Sequence, residues 1–514
     1  MRHFFQATVA VLLVALHAIS YSQEGLCQLE TLADWGLHDA GLPTPKADAL
    51  DLKVIDAKVI APYFSEQVKF RAAVIRGDYA EAQAFWDRLI AEPDATSRMR
   101  QLRAMHFAME GKGLYFLSYA QAWITVQPQS TAAKTFLGLV YSDAARTSRG
   151  SNFSSQTSRN AMIFFKQRIT KAQEILEPLL ARKDVYSWSA NTSLSLVYFY
   201  QGMDEKGWRT QEELINAAPG YGFSYFWAAA YAESIWAKPD VAAHRAERLR
   251  ALSISNQLPK SEGLVLEQEL NYRLRGLLRT GNPQEVRPYW TQRNKEAPHL
   301  FNTLGWLMYE RSVENWPEVV RLADLAITAN PLQTYSYSQR AIANKEMARM
   351  DTVFKDTLAA AILGNDSAMS GLVQGHVRGT LGFAPGNFNQ MYAYCNMGAA
   401  FGMPAAANCM GSAFTEGFAG TKRDDRIAAS WHLLAARGSH SNSQHDIGVL
   451  LPKFSKLPEA QSISQHWMRE ASRQQHPYAT QKATKEPEPK IDTQCAAKMA
   501  KEAALSKVKQ IFKP

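Results

Sequence analysis

The chain reads GNDSAMSGLVQGHVRG at 364–379, GMPAAANCMGSAFTEG at 402–417 and SHSNSQHDIG at 439–448. The first two stretches start 38 residues apart, and the third starts 37 residues after the second. One pair of positions recurs inside each stretch, as Leu372-Val373, Met410-Gly411 and Ile447-Gly448. A fixed period of this length is typical of stacked helix pairs. The last third of the chain is therefore predicted to be a helical solenoid.

The composition extends this prediction to the rest of the 514 residues. Hydrophobic residues make up 46%, charged residues 20% and aromatic residues 11%, which is a globular balance. Long tracts are rich in Ala, Leu, Glu, Gln, Arg and Lys, and Val and Ile rarely alternate with polar residues. We therefore expect an all-α fold, a right-handed superhelical α/α solenoid of helix pairs.

Two earlier stretches carry the marks of a helix pair. RAAVIRGDYAEAQAFWDRLIAEPD (71–94) places a turn at Gly77 and Tyr79, a small residue at Ala82 and a stop at Pro93. LADLAITANP (322–331) ends in the same way. Both resemble the second half of a tetratricopeptide repeat (TPR). The sequence predicts a TPR-like helical domain over 59–345.

Within that domain, residues 115–245 are less regular. WITVQPQSTAAKTFLGLVYSDAARTSRGSNFSS (123–155) and PGYGFSYFWAAAYAESIW (219–236) resemble a bacterial domain-of-unknown-function family of TPR-like domains. The resemblance covers roughly residues 60–330 and implies architecture, because that family has no established activity. Family members continue with Gly after the last Trp, whereas Ala237 follows Trp236 here.

The C-terminal units resemble the Sel-one-like repeat family, a relative of the TPR. The matching positions of the middle unit are Gly411, Phe414, Gly417, Asp425, Ala428, Trp431, Ala435 and Ala436. The predicted repeat region is 346–474. The resemblance implies binding of proteins and assembly of complexes, often in bacterial envelopes.

The first residues of the chain suggest export, and the last are expected to form a basic tail. Arg2 and His3 precede the apolar run TVAVLLVAL (8–16), so residues 1–22 are predicted to be a signal peptide; an uncut anchor helix is the alternative. Residues 23–58 are expected to be irregular. Residues 475–514 are expected to form a disordered linker and a short basic tail helix. Of the net charge of +9, about half lies in this tail, which predicts a solvated extension or weak contact with anionic surfaces. We expect a periplasmic or secreted protein with no transmembrane segment and no nucleic-acid partner.

The cysteines offer a disulfide. Cys395 and Cys409 each lie seven residues from Gly402. If Gly402 marks a turn between antiparallel helices, both lie roughly 10 Å from it. The two cysteines can form a disulfide between the helices, or they can remain as two buried thiols; both alternatives stay open. Cys27 and Cys495 can pair only if the chain curls back, and the sequence contains no CxxC motif for redox chemistry.

Other chemistry finds little support in the sequence. His432, His440 and His445 cluster, but their spacing favours structural histidines over a metal site. GxSxG does not occur, and QGHVRGTLG (374–382) lacks the lysine ending of a phosphate loop. The sequence therefore predicts no catalytic residue, no metal and no cofactor.

Aromatic and arginine residues of the irregular region are the candidate binding residues. Seven aromatic residues crowd 221–236, and core packing is the competing explanation for them. Arg149 precedes a polar loop and is a candidate for gripping a carboxylate; an exposed helix end is the alternative. The candidate set is Trp123, Arg149, Tyr225, Trp227, Tyr231 and Trp236.

These features predict a protein-interaction scaffold that presents a concave helical surface to a protein or peptide. Two alternatives remain open. One is an envelope enzyme of the hydrolase type with its site in 115–240. The other is a protein that neutralises or escorts a toxin.

Overall fold

The computed structural model describes residues 61–149, 159–232, 237–275, 283–381, 386–454 and 460–483, together with Leu42 and Pro45. All regular structure in these ranges is helical, which confirms the predicted all-α solenoid of helix pairs. The predicted signal peptide, Cys27, Cys495 and the tail from residue 484 lie outside the described residues. So does the segment 23–58, apart from Leu42 and Pro45.

Nine helices form what we call the N-terminal array. They are α1 (Glu66–Arg76), α2 (Tyr79–Ala91), α3 (Ala95–Met109), α4 (Gly113–Val126), α5 (Thr131–Arg149), α6 (Arg159–Leu176), α7 (Val185–Tyr200), α8 (Asp204–Ala217) and α9 (Gly222–Tyr231). Most neighbours in the chain pack against each other, which is the arrangement of a repeat protein.

A middle section leads to what we call the C-terminal array. The middle section comprises α10 (Pro239–Ser255), α11 (Lys260–Arg275), α12 (Pro283–Glu296), α13 (Leu300–Ser312) and α14 (Trp316–Ala329). The C-terminal array comprises α15 (Thr334–Glu346), α16 (Met350–Ile362), α17 (Asp366–Arg378), α18 (Phe388–Ala400), α19 (Pro404–Glu416), α20 (Asp425–Arg437), α21 (Ser441–Phe454), α22 (Ala460–Arg473) and α23 (Pro477–Ala483).

The first helix pair ends and restarts where the sequence predicts. Gly77 closes α1 with a left-handed φ of 71°, which glycine adopts without steric cost. The Asp78 carboxylate then accepts a hydrogen bond from the Glu81 N–H at 3.1 Å and caps α2. Ala82 is fully buried, so the two helices approach closely.

Turns with left-handed backbone explain the period in the last third of the chain. The three positions at which the sequence repeat starts have positive φ: 113° at Gly364, 76° at Gly402 and 64° at Ser439. Each follows a helix by two residues and precedes the next helix by two. A left-handed residue therefore recurs at the same place in each unit of the repeat.

The C-terminal array lies along the N-terminal array, which the sequence does not predict. Helix α20 packs on α4, where Arg437 Nε donates to the Leu114 carbonyl at 3.0 Å. The Phe164 and His466 rings, 5.7 Å apart, join α6 to α22. Helix α18 contacts α1, so successive helices of the C-terminal array lie on successive parts of the N-terminal array. The chain thus returns to its first helices and runs beside them, and one hydrophobic core continues through both arrays.

The repeat turns form part of this contact. A Cβ atom at Gly402 would lie 2.3 Å from Phe116 Cζ, so only glycine fits there. At the preceding turn, Lys112 Nζ donates to the Gly364 carbonyl at 2.7 Å. The buried Arg71 donates to the Ile362 carbonyl at 3.2 Å. The turns that mark the repeat in the sequence thus pack against helices of the N-terminal array.

The first part of the segment predicted to be a disordered linker contains a helix. Helix α23 lies within the segment predicted to be disordered. Pro477 occupies the first turn, and Ala479 is fully buried, so this short helix is anchored by one small residue. Among the described helices, none is both long and apolar enough to cross a membrane.

Candidate functional site

A cavity of about 110 Å³ opens between helices of the N-terminal array. Its walls come from α3, α5, α7, α8 and α9. Helices α3, α5, α7 and α9 are alternate helices of the array and share one face of it, which we call the inner face. Preformed pockets between helices are common ligand sites.

Helix α3 supplies one wall because its two faces differ. Asp94 starts the helix by accepting from the Ser97 N–H at 2.7 Å. Met99, Leu102, Met105 and Met109 recur at helical spacing and are buried. The neighbouring face carries Arg103, His106, Phe107 and Glu110, which line the cavity.

Arg103 stands between two aromatic rings at the cavity. Its Cζ lies 5.3 Å from the ring centroid of Phe107 and 4.7 Å from that of Trp227. These rings are 51% and 42% exposed, which is unusual for large aromatic side chains. Arg103 Nε and Nη2 are shielded from solvent and have no acceptor among the described residues. Burial lowers the pKa of Arg103, although the group remains a cation at neutral pH.

Arg146, the second cavity arginine, is paired. Its Nη2 donates to Asp143 at 2.7 Å, and its Nη1 lies 3.4 Å from Glu110. Burial alone would lower the pKa of Arg146, but Asp143 and Glu110 raise it. Asp143 is further fixed by the backbone N–H groups of Gly111 and Gly113, at 3.1 and 2.8 Å. Both cavity carboxylates therefore contact Arg146, Asp143 in a buried setting and Glu110 at the exposed edge.

His106 is neutral in this site. Burial, with the nearby charges of Arg103 and Arg146, lowers the pKa of His106 to about 3. Its Nε2 lies 3.1 Å from the hydroxyl of Ser189, which is fully buried. A histidine of this pKa is a weak base, and the buried hydroxyl is out of a substrate's reach. The geometry therefore favours binding over nucleophilic catalysis.

The structure describes five of the six predicted binding residues and places them in three groups: two line the cavity, one lies near it on α5, and two belong to the core. Trp227 and Tyr231 line the cavity. Arg149 lies one helical turn beyond Arg146 on α5, with its guanidinium 5.1 Å from the Tyr200 ring centroid. Trp236 lies outside the described residues.

Trp123 and Tyr225 belong to the core. Trp123 is fully buried and stacks on Tyr79, with centroids 5.7 Å apart. Its indole N–H donates to Gln127 at 2.9 Å. Tyr225 is also fully buried. Neither side chain lines the cavity. Core packing, the competing explanation for the aromatic residues of 221–236, accounts for Tyr225, and Trp123 is likewise a core residue.

Sequence reasoning missed Arg103, Phe107 and Arg146. The stretch RQLRAMHFAMEGK (100–112) reads as an ordinary amphipathic helix. Its one signal is that Arg103 and Phe107 are four residues apart and share a face. Trp227, the other half of the arrangement, follows 120 residues after Phe107.

The cysteine and histidine predictions concern the C-terminal array. Cys395 of α18 and Cys409 of α19 form a disulfide with Cα atoms 5.7 Å apart, as one of the two sequence alternatives predicts. His432 is buried against Gly411. In the described ranges, no group of three or more His, Cys, Asp or Glu side chains is placed to hold a metal ion.

The fold and the cavity define a helical-repeat protein with an aromatic and cationic pocket on its inner face. No protein-family model and no curated protein matches the sequence. Among solved structures, the crystal structure of a Sel1 repeat protein from Oxalobacter formigenes is similar at 15% identity and a TM-score of 0.32. The match covers 56% of this chain and 92% of that one.

Proposed function

We propose that this protein is an exported bacterial helical-repeat scaffold of the cell envelope that binds a protein or peptide partner in the inner-face cavity. The apolar N-terminal run supports export, and the repeat spacing with its Sel-one-like motif positions supports the class. One observation carries the proposal: Phe107 and Trp227 remain half-exposed beside the buried charge of Arg103. Tryptophan and arginine are enriched among residues that dominate protein-binding energy.

The cavity gives less support to an envelope enzyme. A hydrolase needs a carboxylate or histidine ready to move a proton. Asp143 and Glu110 both contact Arg146, and His106 is held neutral beside Ser189. These contacts favour a rigid binding surface.

Capture from an envelope extract tests the binding role. We expect Phe107→Ala/Trp227→Ala to reduce recovery of the specific partner at least tenfold, because truncating two anchors removes about 2–4 kcal/mol. The matched control is Val126→Ala/Ile254→Ala, which truncates two exposed apolar side chains that do not line the cavity. Equal recovery with both double variants would refute the cavity as the site.

A separate measurement tests export. The mass of the protein isolated from whole cells should correspond to a chain that begins near Tyr21 or Gln23. An intact Met1 would contradict cleavage of a signal peptide.

A further inference from the structure

We propose that the cavity recognises a carboxylate of the bound peptide, through the Nε–Nη2 edge of Arg103. This inference rests on the proposed function and names the chemical group that the site selects. It starts from the geometry of arginine, whose Nε–H and one Nη–H point in parallel and match the two oxygens of a carboxylate.

The same protein shows what this edge binds. Three other arginines donate from both Nε and Nη2 to the two oxygens of one carboxylate, at 2.6–3.0 Å. The pairs are Arg287–Glu310, Arg321–Glu318 and Arg340–Asp356. Arg293 differs: both nitrogens donate to the Asn302 amide oxygen, and Nη2 also donates to Glu269. On Arg103, the same two nitrogens have no acceptor among the described residues. The edge therefore has the form of a carboxylate site without a carboxylate from the described chain.

The charges around Arg103 favour an anion. Arg146 is compensated by Asp143 and Glu110, and His106 is neutral. The Nε–Nη2 edge of Arg103 is thus a cationic edge that no carboxylate of the described chain contacts, although Glu110 acts on Arg103 through space. A shielded cation is costly unless an opposite charge binds it, so a ligand carboxylate gains more here than at an exposed arginine.

The rings add an apolar requirement. Phe107 and Trp227 adjoin the guanidinium and have half of their surface in water. Because these rings are only partly packed, we expect a change of their rotamers to open the shielded edge to a ligand. A ligand with an apolar side chain next to its carboxylate covers these rings. The chemistry fits either the C-terminus of a peptide or an acidic side chain beside an apolar residue.

Calorimetric titration with four peptides tests the inference. The peptides are acetyl-Ala-Ala-Phe with a free carboxylate, its amide, acetyl-Ala-Glu-Phe-amide and acetyl-Ala-Gln-Phe-amide. We expect one carboxylate peptide to bind at least tenfold more tightly than its neutral counterpart. Preference for the first peptide identifies a chain terminus, and preference for the third identifies a side chain. Equal affinity of charged and neutral peptides overturns the proposal.

Variants on one helix provide the control. Arg103→Lys keeps the charge but lacks the two-pronged edge, so we expect at least tenfold weaker binding of the preferred peptide. Arg98→Lys changes an arginine of α3 that stacks on Trp188 and does not line the cavity, and it should bind as the wild type does. Equal affinity of the Arg103→Lys variant and the wild type would contradict the role of the edge.

A stability measurement separates recognition from a structural role. Arg103→Met removes a shielded guanidinium whose Nε and Nη2 have no acceptor among the described residues, so the midpoint of thermal unfolding should stay the same or rise. A lowered midpoint would show that Arg103 supports the fold and would overturn the proposal. If partner capture depends on Phe107 and Trp227 but all four peptides bind equally or not at all, the inference fails and the scaffold proposal stands. If capture is insensitive to those rings, both fail.

Discussion

The two arrays differ in what lies between their helices. In the C-terminal array, glycines and alanines bring helices together: a Cβ at Gly398 would lie 2.6 Å from Ala406, and one at Gly411 would lie 2.7 Å from His432. In the N-terminal array glycine also allows close approach, since a Cβ at Gly113 would lie 2.4 Å from Ala144 N, but aromatic side chains line a cavity there. The regularly spaced small residues lie in helix contacts. In the irregular region, aromatic rings and arginine N–H groups face a cavity where a ligand can reach them.

The largest expected effect contrasts two tryptophans of the N-terminal array. Trp123→Ala should lower the free energy of unfolding by about 3–5 kcal/mol, because it removes a fully buried ring. Trp227→Ala should lower it by about 1 kcal/mol or less, because that ring is half-exposed. Urea unfolding followed by circular dichroism measures both. Similar losses would mean that Trp227 is a core residue and not part of a binding surface.

A smaller effect tests the contact between the arrays. Gly402 and Gly420 both have a φ of 76°, but a Cβ would clash with Phe116 at the first and meet nothing within 4 Å at the second. Gly420→Ala should therefore cost about 1 kcal/mol, from backbone strain alone. Gly402→Ala should cost about 3 kcal/mol, because overpacking adds to that strain. Equal midpoints of thermal unfolding would show that the arrays yield at this turn.

The smallest effect concerns acid. Burial lowers the pKa of His432 from 6.5 to about 4, with Asp446 opposing and His440 adding to the shift. Between these values the unfolded chain binds a proton that the folded chain does not, so stability falls as the pH falls. From pH 7.5 to 5.5, this residue should account for a loss of about 1 kcal/mol. Urea titrations at both pH values should show a loss smaller by that amount in His432→Gln; an identical loss would place His432 in contact with water.

Local patterns predicted the elements of this fold. The turn at Gly77, the repeat starts at Gly364 and Gly402, and the small residue at Ala82 depend on neighbours within one helix pair. Left-handed turns and close helix approach select glycine and alanine directly, so the sequence records them. The bridge between Cys395 and Cys409 was also within reach, because one tight turn joins their helices.

Local sequence patterns do not predict the cavity or the contact between the two arrays. Arg71 meets the Ile362 carbonyl across 291 residues, and nothing around either position differs from an ordinary helix. Arg103 becomes a distinctive residue only because Trp227 comes to lie beside it while its own Nε and Nη2 find no acceptor in the described chain. Such a property belongs to the three-dimensional arrangement and has no periodicity to detect.

The side-by-side contact of the arrays also governs how the chain is made. Arg437, which holds α20 on α4, is synthesised 323 residues after Leu114. At 5–20 residues per second, that interval lasts roughly 16–65 s. For most of it, Phe116 packs on Phe136 but lacks the turn at Gly402 that covers it in the finished protein. We therefore expect the nascent chain to be most prone to aggregation before the C-terminal array is made.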